Sequence, residues 1–331
     1  MDAIHSSNRP ARASSTPPLD VLVLGSLFVE LTPEQPGQPL SQAQRLIPTA
    51  SGAAANFAQV LAALGARVGM LTRVGDDEMG RWLRDQLSAA GLDTSAILTT
   101  AAELTPVSFA SADLCGGKQF FFYRFPGWSD PLATFSPADL SHDQVTGARL
   151  FDFTEAVIRS EGVRASAFQA ARWCREAGRQ VAYAINYRPQ SWACPPPEMI
   201  EAQRQACALA DLVFMNEEES QLLFGPDVCI EKVMQSYTDS AGTIFVITAG
   251  ERGGWVCQGG SREPFTAPQV TVQYDVGAGD TFHAAFVAAH LAGQSPRVSA
   301  AFAAACAALK ISRPASAPPP TWEETIRFLP A

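Results

Sequence analysis

Asp-Val-Gly-Ala-Gly-Asp-Thr-Phe occupies residues 275–282, and apolar residues recur behind it at the spacing of a helix. The small residues Gly277, Ala278 and Gly279 allow neighbouring backbone N–H groups to point at one spot from a helix N-terminus, which forms an anion site. The acid that follows, Asp280, would repel a phosphate there unless it accepts a proton from an attacking hydroxyl. The stretch therefore indicates phosphoryl transfer. The alternative is a glycine-rich turn in which Asp280 only caps the helix.

Two common nucleotide-binding signatures do not occur in this sequence. It contains no GxxxxGK[ST] loop, and no third glycine follows residues 277–279 at the spacing of a dinucleotide fingerprint. The formal net charge is −9, and no block of Lys and Arg is present, which argues against nucleic acid as a partner. A phosphorylated ligand would therefore be held locally, by backbone amides and a few arginines.

The composition favours one ordinary globular domain. With 331 residues and 47% hydrophobic composition, the chain can bury a substantial core. Residues 1–18 are polar and rich in Ser, Pro and Arg, so we expect a disordered N-terminal segment without a signal peptide. No apolar run approaches the roughly 20 residues of a membrane helix, so a cytoplasmic location is expected. The seven cysteines are spread singly, which argues against a zinc or disulfide framework.

Strand and helix patterns alternate from residue 19 onward. Repeated β-α-β units predict an α/β fold with a mostly parallel central sheet, helices on both faces and ligands at the carboxyl ends of the strands. Strands are predicted at 21–24, 68–72, 150–153, 181–185, 212–215 and 244–248, and helices near 51–65, 79–90, 163–176, 298–312 and 322–328. The helical period is lost in 98–135, where 107–112 and 118–124 resemble short strands. With 38–48 they predict a small β lid on a domain of residues 19–331.

Four more motifs precede the 275–282 stretch in a fixed order. They are SGAAANFA at 51–58, GDDEMG at 75–80, NEEE at 216–219 and TAGERG at 248–253. Together the five resemble the signatures of the ribokinase-like (PfkB) carbohydrate kinases, and the likeness runs from about Asp20 to Leu329. The resemblance implies an enzyme, a sugar kinase that moves the γ-phosphate of ATP to a sugar hydroxyl with Mg²⁺ as cofactor.

The resemblance also assigns catalytic and nucleotide-binding roles. It makes Asp280 the general base and the amides of residues 277–279 the anion hole. It places Mg²⁺ and its bound waters near Asn216 and Glu219; a capping box at the start of a helix is the alternative. The nucleotide would contact a turn that could also be a simple hairpin, formed by Thr248, Gly250, Arg252 and Gly253.

The sugar site is drawn from several segments. By resemblance Gly52 and Asn56 approach the sugar, and Glu30 stands where the family often has an Asp for sugar hydroxyls. The stretches FYR at 122–124 and NYRP at 186–189 resemble the 2-keto-3-deoxygluconate kinase and fructokinase branch. They add Tyr123, Arg124 and Arg188 to the predicted substrate contacts. Two arginines favour a sugar acid, because a guanidinium binds a carboxylate bidentately, although either could be a structural ion-pair partner.

Some positions depart from the family pattern. Tyr274 and Asp275 replace the usual Asp-Thr, and Ala315-Ser316 replaces Gly-Ala, so a monovalent cation requirement stays open. Three other functions are alternatives: a nucleoside kinase, which would need an aromatic sandwich; a non-catalytic sugar or nucleotide sensor, which would have lost the base or the anion turn; and a dehydrogenase. Exposed lid strands could pair between two chains, so a homodimer is expected.

Overall fold

The computed structural model describes residues 18–35, 37–112, 118–123, 130–187, 196–225, 242–314 and 317–329. Its strands are β1 (Val21–Leu24), β2 (Phe28–Pro33), β3 (Leu46–Ser51), β4 (Val68–Gly75), β5 (Ile97–Thr100), β6 (Val107–Ala112), β7 (Lys118–Tyr123), β8 (Leu150–Thr154), β9 (Gln180–Ala184), β10 (Leu212–Asn216), β11 (Ile244–Thr248), β12 (Gly254–Gln258) and β13 (Ser261–Phe265). Its helices are α1 (Ala53–Ala63), α2 (Glu78–Ala89), α3 (His142–Gly147), α4 (Glu155–Ile158), α5 (Glu161–Glu176), α6 (Pro196–Leu209), α7 (Glu217–Phe224), α8 (Ala278–Leu291), α9 (Pro296–Ile311) and α10 (Trp322–Phe328).

The large sheet has nine strands in the order β13-β12-β11-β10-β9-β8-β1-β4-β5. Every neighbouring pair from β11 to β5 is parallel, and β12 and β13 add an antiparallel edge. The predicted mostly parallel sheet is thereby confirmed. The strand order reverses between β1 and β8, and in open α/β sheets the crevice outside such a point binds ligands.

Both faces of the large sheet are covered, as predicted, because its strands are apolar on both sides. In β1, Val21 and Val23 face a core built with α1, α8 and α9. Leu22 and Leu24 face a second core built with α5 and α6. Gly65 follows α1 with a φ of 96°, the left-handed conformation expected for a glycine at this position.

The small sheet has the order β3-β2-β6-β7. β6 and β7 match the strands predicted for the lid, and β3 begins at Leu46, near the end of the range 38–48. β2 was not predicted as a strand, since the buried Glu30 interrupts its apolar pattern. Residues 97–100 form β5 in the large sheet, beside β4. Residues 1–17, the start of the segment expected to be disordered, lie outside the described part.

The described residues contain no helix that is long and apolar enough to cross a membrane. Four cysteines fall within the described ranges, and each of them is buried: Cys174, Cys207, Cys257 and Cys306. Burial raises the pKa of the Cys174 thiol to about 12, so this side chain stays a neutral part of the core.

Candidate active site

The turn at residues 275–280 leads into α8, near Glu30 of the small sheet. Gly277 is the N-cap of α8, and its φ of 79° is a left-handed conformation that favours glycine. The amide of Ala278 donates to the carbonyl of Asp275 at 3.3 Å, and the amide of Thr281 donates to the carbonyl of Gly277 at 2.9 Å. Asp280 lies in the first turn of the helix and is not its N-cap. The capping role considered for Asp280 is therefore wrong.

Asn56 binds the carboxylate of Asp280. Its Nδ2 donates to Oδ2 of Asp280 at 2.9 Å, although the two residues are 224 positions apart. A Cβ added at Gly277 would lie 3.9 Å from the same Nδ2. The structure thus joins two motifs, 51–58 and 275–282, in one hydrogen-bonded cluster. The side-chain oxygen of Asn56, which cannot donate, is the group that could accept a bond from a sugar hydroxyl.

Gly52 has a structural role beneath Asn56. It is the N-cap of α1 with a φ of 123°, and its carbonyl accepts the amide of Asn56 at 2.7 Å. A Cβ at this position would lie 2.3 Å from the carbonyl oxygen of Ser26. The close backbone approach predicted for Gly52 therefore occurs against the protein's own chain, and it sets the position of Asn56.

Glu30 reaches the same cluster from β2. Its side chain is buried, with only 6% exposed, and it forms a hydrogen bond with the side chain of Ser51. Burial raises the pKa of Glu30 to about 7; the hydrogen bond with Ser51 lowers this pKa, and the charge of Asp280 raises it. A second acid therefore lies close enough to Asp280 to feel its charge, and this acid changes its protonation near neutral pH.

Glu30→Gln should change how stability depends on pH. Between pH 4.5, the ordinary pKa of this side chain, and about 7, the folded chain keeps a proton that the unfolded chain has released. Raising the pH across this window therefore lowers the free energy of unfolding of the wild type, by about 3 kcal/mol from this group. The glutamine variant cannot titrate, so it should lack this loss. Urea unfolding at pH 5 and pH 8 measures the difference.

Glu34→Gln is a matched control, because Glu34 follows β2 and its exposed side chain pairs with Arg45 at 3.9 Å. Its pH profile should remain parallel to that of the wild type. A glutamine variant of Glu30 whose profile is also parallel would contradict the raised pKa.

Asn216 and Glu219 form a capping box at the start of α7. Oδ1 of Asn216 accepts the amide of Glu219, and Oε2 of Glu219 accepts the amide of Asn216, both at 2.8 Å. Oε1 of Glu219 also accepts the amide of Tyr187 at 2.7 Å. Asn216 itself is exposed at the carboxyl end of β10. The capping box considered for the NEEE motif is thus confirmed. A carboxylate with further lone pairs can still bind a hydrated cation.

Residues 248–253 connect β11 to the antiparallel β12, so they do form a hairpin. Thr248 lies next to the end of β10, where its Oγ1 donates to the carbonyl of Met215 at 3.5 Å. Gly250 has a φ of 60° and open space beside it, whereas a Cβ at Gly253 would lie 2.1 Å from the carbonyl oxygen of Phe265. Arg252 pairs with Glu217 of α7. The pair connects this turn to the first turn of α7, the helix that Asn216 caps.

Three side chains predicted to contact substrate are not described. Arg124 and Arg188 lie outside the described residues, and for Tyr123, the last residue of β7, only the backbone is described. Ala315-Ser316 also lies outside. Tyr274 stands close enough to Glu30 for the charge of that acid to raise the pKa of its phenol, after burial as the main cause. The ammonium of Lys310 lies 5.2 Å from the centre of the Tyr274 ring.

Aromatic side chains on the small sheet were missed by the sequence analysis. Glu30 pairs with Ser108, and Ser108 pairs with Phe122, so these three side chains share one face of the sheet. Phe28, two residues before Glu30, lies on that face and meets the ring of Phe122 edge-on at 5.3 Å. Phe122 is 51% exposed. The period-2 alternation of β2 could have revealed this face if β2 had been recognised as a strand.

Known proteins resemble this chain in sequence and in fold. The family model described as pfkB family carbohydrate kinase matches residues 19–323. The chain is 29% identical to a fructokinase of Klebsiella pneumoniae over 273 residues, which covers 82% of this chain and 83% of that protein. Two solved structures share the fold. A Xylella fastidiosa fructokinase with bound ATP has a TM-score of 0.81 at 23% identity and covers 93% and 98% of the two chains.

The second solved structure is the 2-dehydro-3-deoxygluconokinase of Thermotoga maritima, with a TM-score of 0.83 at 21% identity; the match covers 94% of this chain and 98% of that chain. The matched family region includes Asn56 and Asp280, which the structure brings together, and the sites on β2, α7 and the 248–253 turn. The chain therefore belongs to the pfkB family of carbohydrate kinases, and it is a sugar kinase.

Proposed function

We propose that this kinase transfers the γ-phosphate of ATP to a hydroxyl of a small sugar or sugar acid, with Asp280 as the general base. The observation that carries the proposal is the hydrogen bond of Asn56 to Asp280, made beside the N-terminus of α8. The same point thus offers a proton acceptor and helix-terminal amides that bind an anion. Phosphoryl transfer needs little else from a protein, because its catalysis rests on positioning and charge neutralisation.

The residues divide the chemistry between them. Asn56 donates to one oxygen of Asp280 and so fixes the carboxylate plane, and the carboxylate takes the proton of the attacking hydroxyl. The amides of Gly277, Ala278 and Gly279 stabilise the charge that grows on the transferred group. Glu30 lies on the sugar side of Asp280 and binds the substrate hydroxyls.

Mg²⁺ and ATP would lie between α7, α8 and the 248–253 turn. The described residues contain no group of three or more acidic, His or Cys side chains that could hold a metal. This fits Mg²⁺, which keeps several waters and takes its other ligands from phosphates. Asn216 and Glu219 would hold it through water, and Thr248, Gly250, Arg252 and Gly253 would contact the nucleotide. The related fructokinase of known structure has bound ATP.

The metal role of Asn216 can be separated from its capping role. Asn216→Ser keeps a good cap but removes the amide oxygen, so we expect the Mg²⁺ concentration for half-maximal rate to rise by about 10-fold at near wild-type stability. Asn216→Ala should show the same Mg²⁺ effect and also lose about 1 kcal/mol of stability. Rates over a Mg²⁺ series and thermal melts measure both. A serine variant with the wild-type Mg²⁺ requirement would leave Asn216 only as a cap.

For the substrate we propose 2-keto-3-deoxygluconate or fructose. Support comes from the fructokinase relative and from the two arginines predicted at the site. A coupled assay of ADP release against these two sugars, ribose and tagatose tests the proposal directly. The proposal would be contradicted if the enzyme turned over none of these sugars. A sugar acid should be preferred over fructose if Arg124 and Arg188 bind a carboxylate.

A second candidate, a nucleoside kinase of the same superfamily, is favoured by one observation. Phe28 and Phe122 place two aromatic rings on the face of the small sheet that carries Glu30. Such rings can stack on a planar group attached to a sugar. The assay should therefore include a purine riboside beside ribose, in the wild type and in Phe122→Leu. A riboside preference that this variant abolishes would support the second candidate.

We also propose that two copies pair through the edges of the small sheet. β3 and β7 are its outer strands, and Phe120 and Phe122 of β7 are about half exposed. Exposed apolar edge strands tend to pair. The molar mass in solution, measured by light scattering, tests this proposal, and a monomer at micromolar concentration would contradict it.

A further inference from the structure

A buried pair of ionisable side chains lies directly below the catalytic turn. Nε2 of His283, on α8, lies 2.9 Å from Oδ2 of Asp152, on β8. Asp152 is fully buried, and only 3% of His283 is exposed. The two atoms are within hydrogen-bonding distance of each other, and both side chains are shielded from solvent. The proposed reaction makes no use of either residue.

The ring of His283 also contacts two aromatic side chains. Its centroid lies 4.3 Å from that of Phe57 and 4.1 Å from that of Phe214. Phe57 follows Asn56 in α1, and Phe214 lies two residues before Asn216 in β10. His283 itself is one helical turn after Asp280. His283 therefore belongs to the helix that carries the base, and its ring contacts the two elements that carry Asn56 and Asn216.

Stability does not account for this pair. Desolvation makes buried ion pairs weak or unfavourable, and apolar replacements of similar volume are often neutral or stabilising. Burial raises the pKa of Asp152 although His283 lowers it, which shows that desolvation outweighs the attraction. The neighbours of Asp152 across the sheet are Val23 and Ala182. The following turns of α8 bury apolar side chains that are mainly alanines, and these make non-directional contacts. A directional contact is what the apolar core lacks.

We infer that the Asp152–His283 pair positions the first turn of α8, and with it Asp280, for phosphoryl transfer. The inference rests on the proposed function, in which Asp280 is the base. His283 and Asp152 are positioning residues, because neither touches the reacting atoms. A shift of the helix start by a fraction of an ångström would move the carboxylate out of line with the hydroxyl, and such misplacement lowers turnover more than binding.

The test removes the pair without leaving an unpaired charge. Asp152→Leu combined with His283→Leu should fold with a melting temperature equal to or above that of the wild type. Its kcat should fall by about 10-fold, and the KM values for ATP and for sugar should stay within about twofold. Asp152→Asn, which keeps a polar contact to His283, should hold kcat within about threefold of the wild type. A folded double variant with wild-type kcat would overturn the inference.

His290→Leu is the matched control, because His290 lies on the same face of α8 two turns later and contacts Gln180 of β9. Its kcat should be unchanged, and an equal loss there would show general loosening of the helix and overturn the inference. If the double variant does not fold, Asp152→Asn combined with His283→Leu replaces it, since these two changes remove the contact and leave no charge at either position. Wild-type kcat in that variant would be equally contrary. Asp280→Asn in the same assay separates the two levels, because high activity there would refute the proposed base instead.

Discussion

Asp280→Asn should lower kcat by about 10²–10⁴-fold while ATP still binds with near wild-type affinity. The amide has the shape of the carboxylate and can still accept the hydrogen bond from Asn56, but it cannot take a proton. The fold should therefore persist, and the loss should fall on turnover. ADP release measures kcat, and titration calorimetry with ATP measures binding.

Asp275→Asn is the control for this variant, because it removes a negative charge from the same turn at an exposed position. Its kcat should stay within about threefold of the wild type, as expected for an exposed charge. Turnover of Asp280→Asn within a few-fold of the wild type would exclude Asp280 as the base. Asp280→Asn should also lower the pKa of Glu30, since the charge of Asp280 is one of the causes that raise this pKa.

Gly279→Val should lower kcat/KM for ATP by about 10²-fold or more without unfolding the protein. A Cβ at Gly279 meets no atom within 4 Å, and its φ is not left-handed, so the protein itself tolerates a side chain. The open space beside this glycine is where the proposal places the transferred phosphate. A branched side chain would occupy that space and shield the helix-terminal amides.

Gly147→Val provides the comparison, because Gly147 in α3 also has no neighbour within 4 Å of an added Cβ. It should have wild-type kinetics, and Gly279→Ala should fall between the wild type and Gly279→Val. Normal kinetics in Gly279→Val would show that the phosphate does not lie beside this turn. Thermal melts of both valine variants identify any loss that comes from folding.

The parallel sheet was predictable because its signals are local. Runs such as Val21–Leu24 and Ile244–Thr248 are apolar on both faces, and helical periods separate them, which requires parallel strands between helices. The turn at residues 275–282 was equally readable, because small residues before an acid allow the backbone N–H groups of a helix N-terminus to face one point. The motif order then indicated the family, which the comparisons confirmed.

The small sheet was only partly predictable. β6 and β7 lie in a stretch without a helical period and were predicted as strands, but β2 carries a buried acid, Glu30, whose burial depends on neighbours distant in sequence. Residues 97–100 resembled the lid by composition, yet they pair in parallel with β4 at the edge of the large sheet. Which strands pair depends on partners that are distant in sequence, and local propensity carries little information about that choice.

The sequence by itself determined the fold class, the family and the position of an acid directly after the small residues 277–279, since each rests on residues that are adjacent along the chain. Only the tertiary structure showed that Asn56 binds Asp280, that Glu30 lies beside it, and that His283 meets Asp152 below the same helix turn. The physical reason is that a site is formed by contacts between segments separated by up to 224 residues, and those contacts exist only after the sheet has set the positions of its helices.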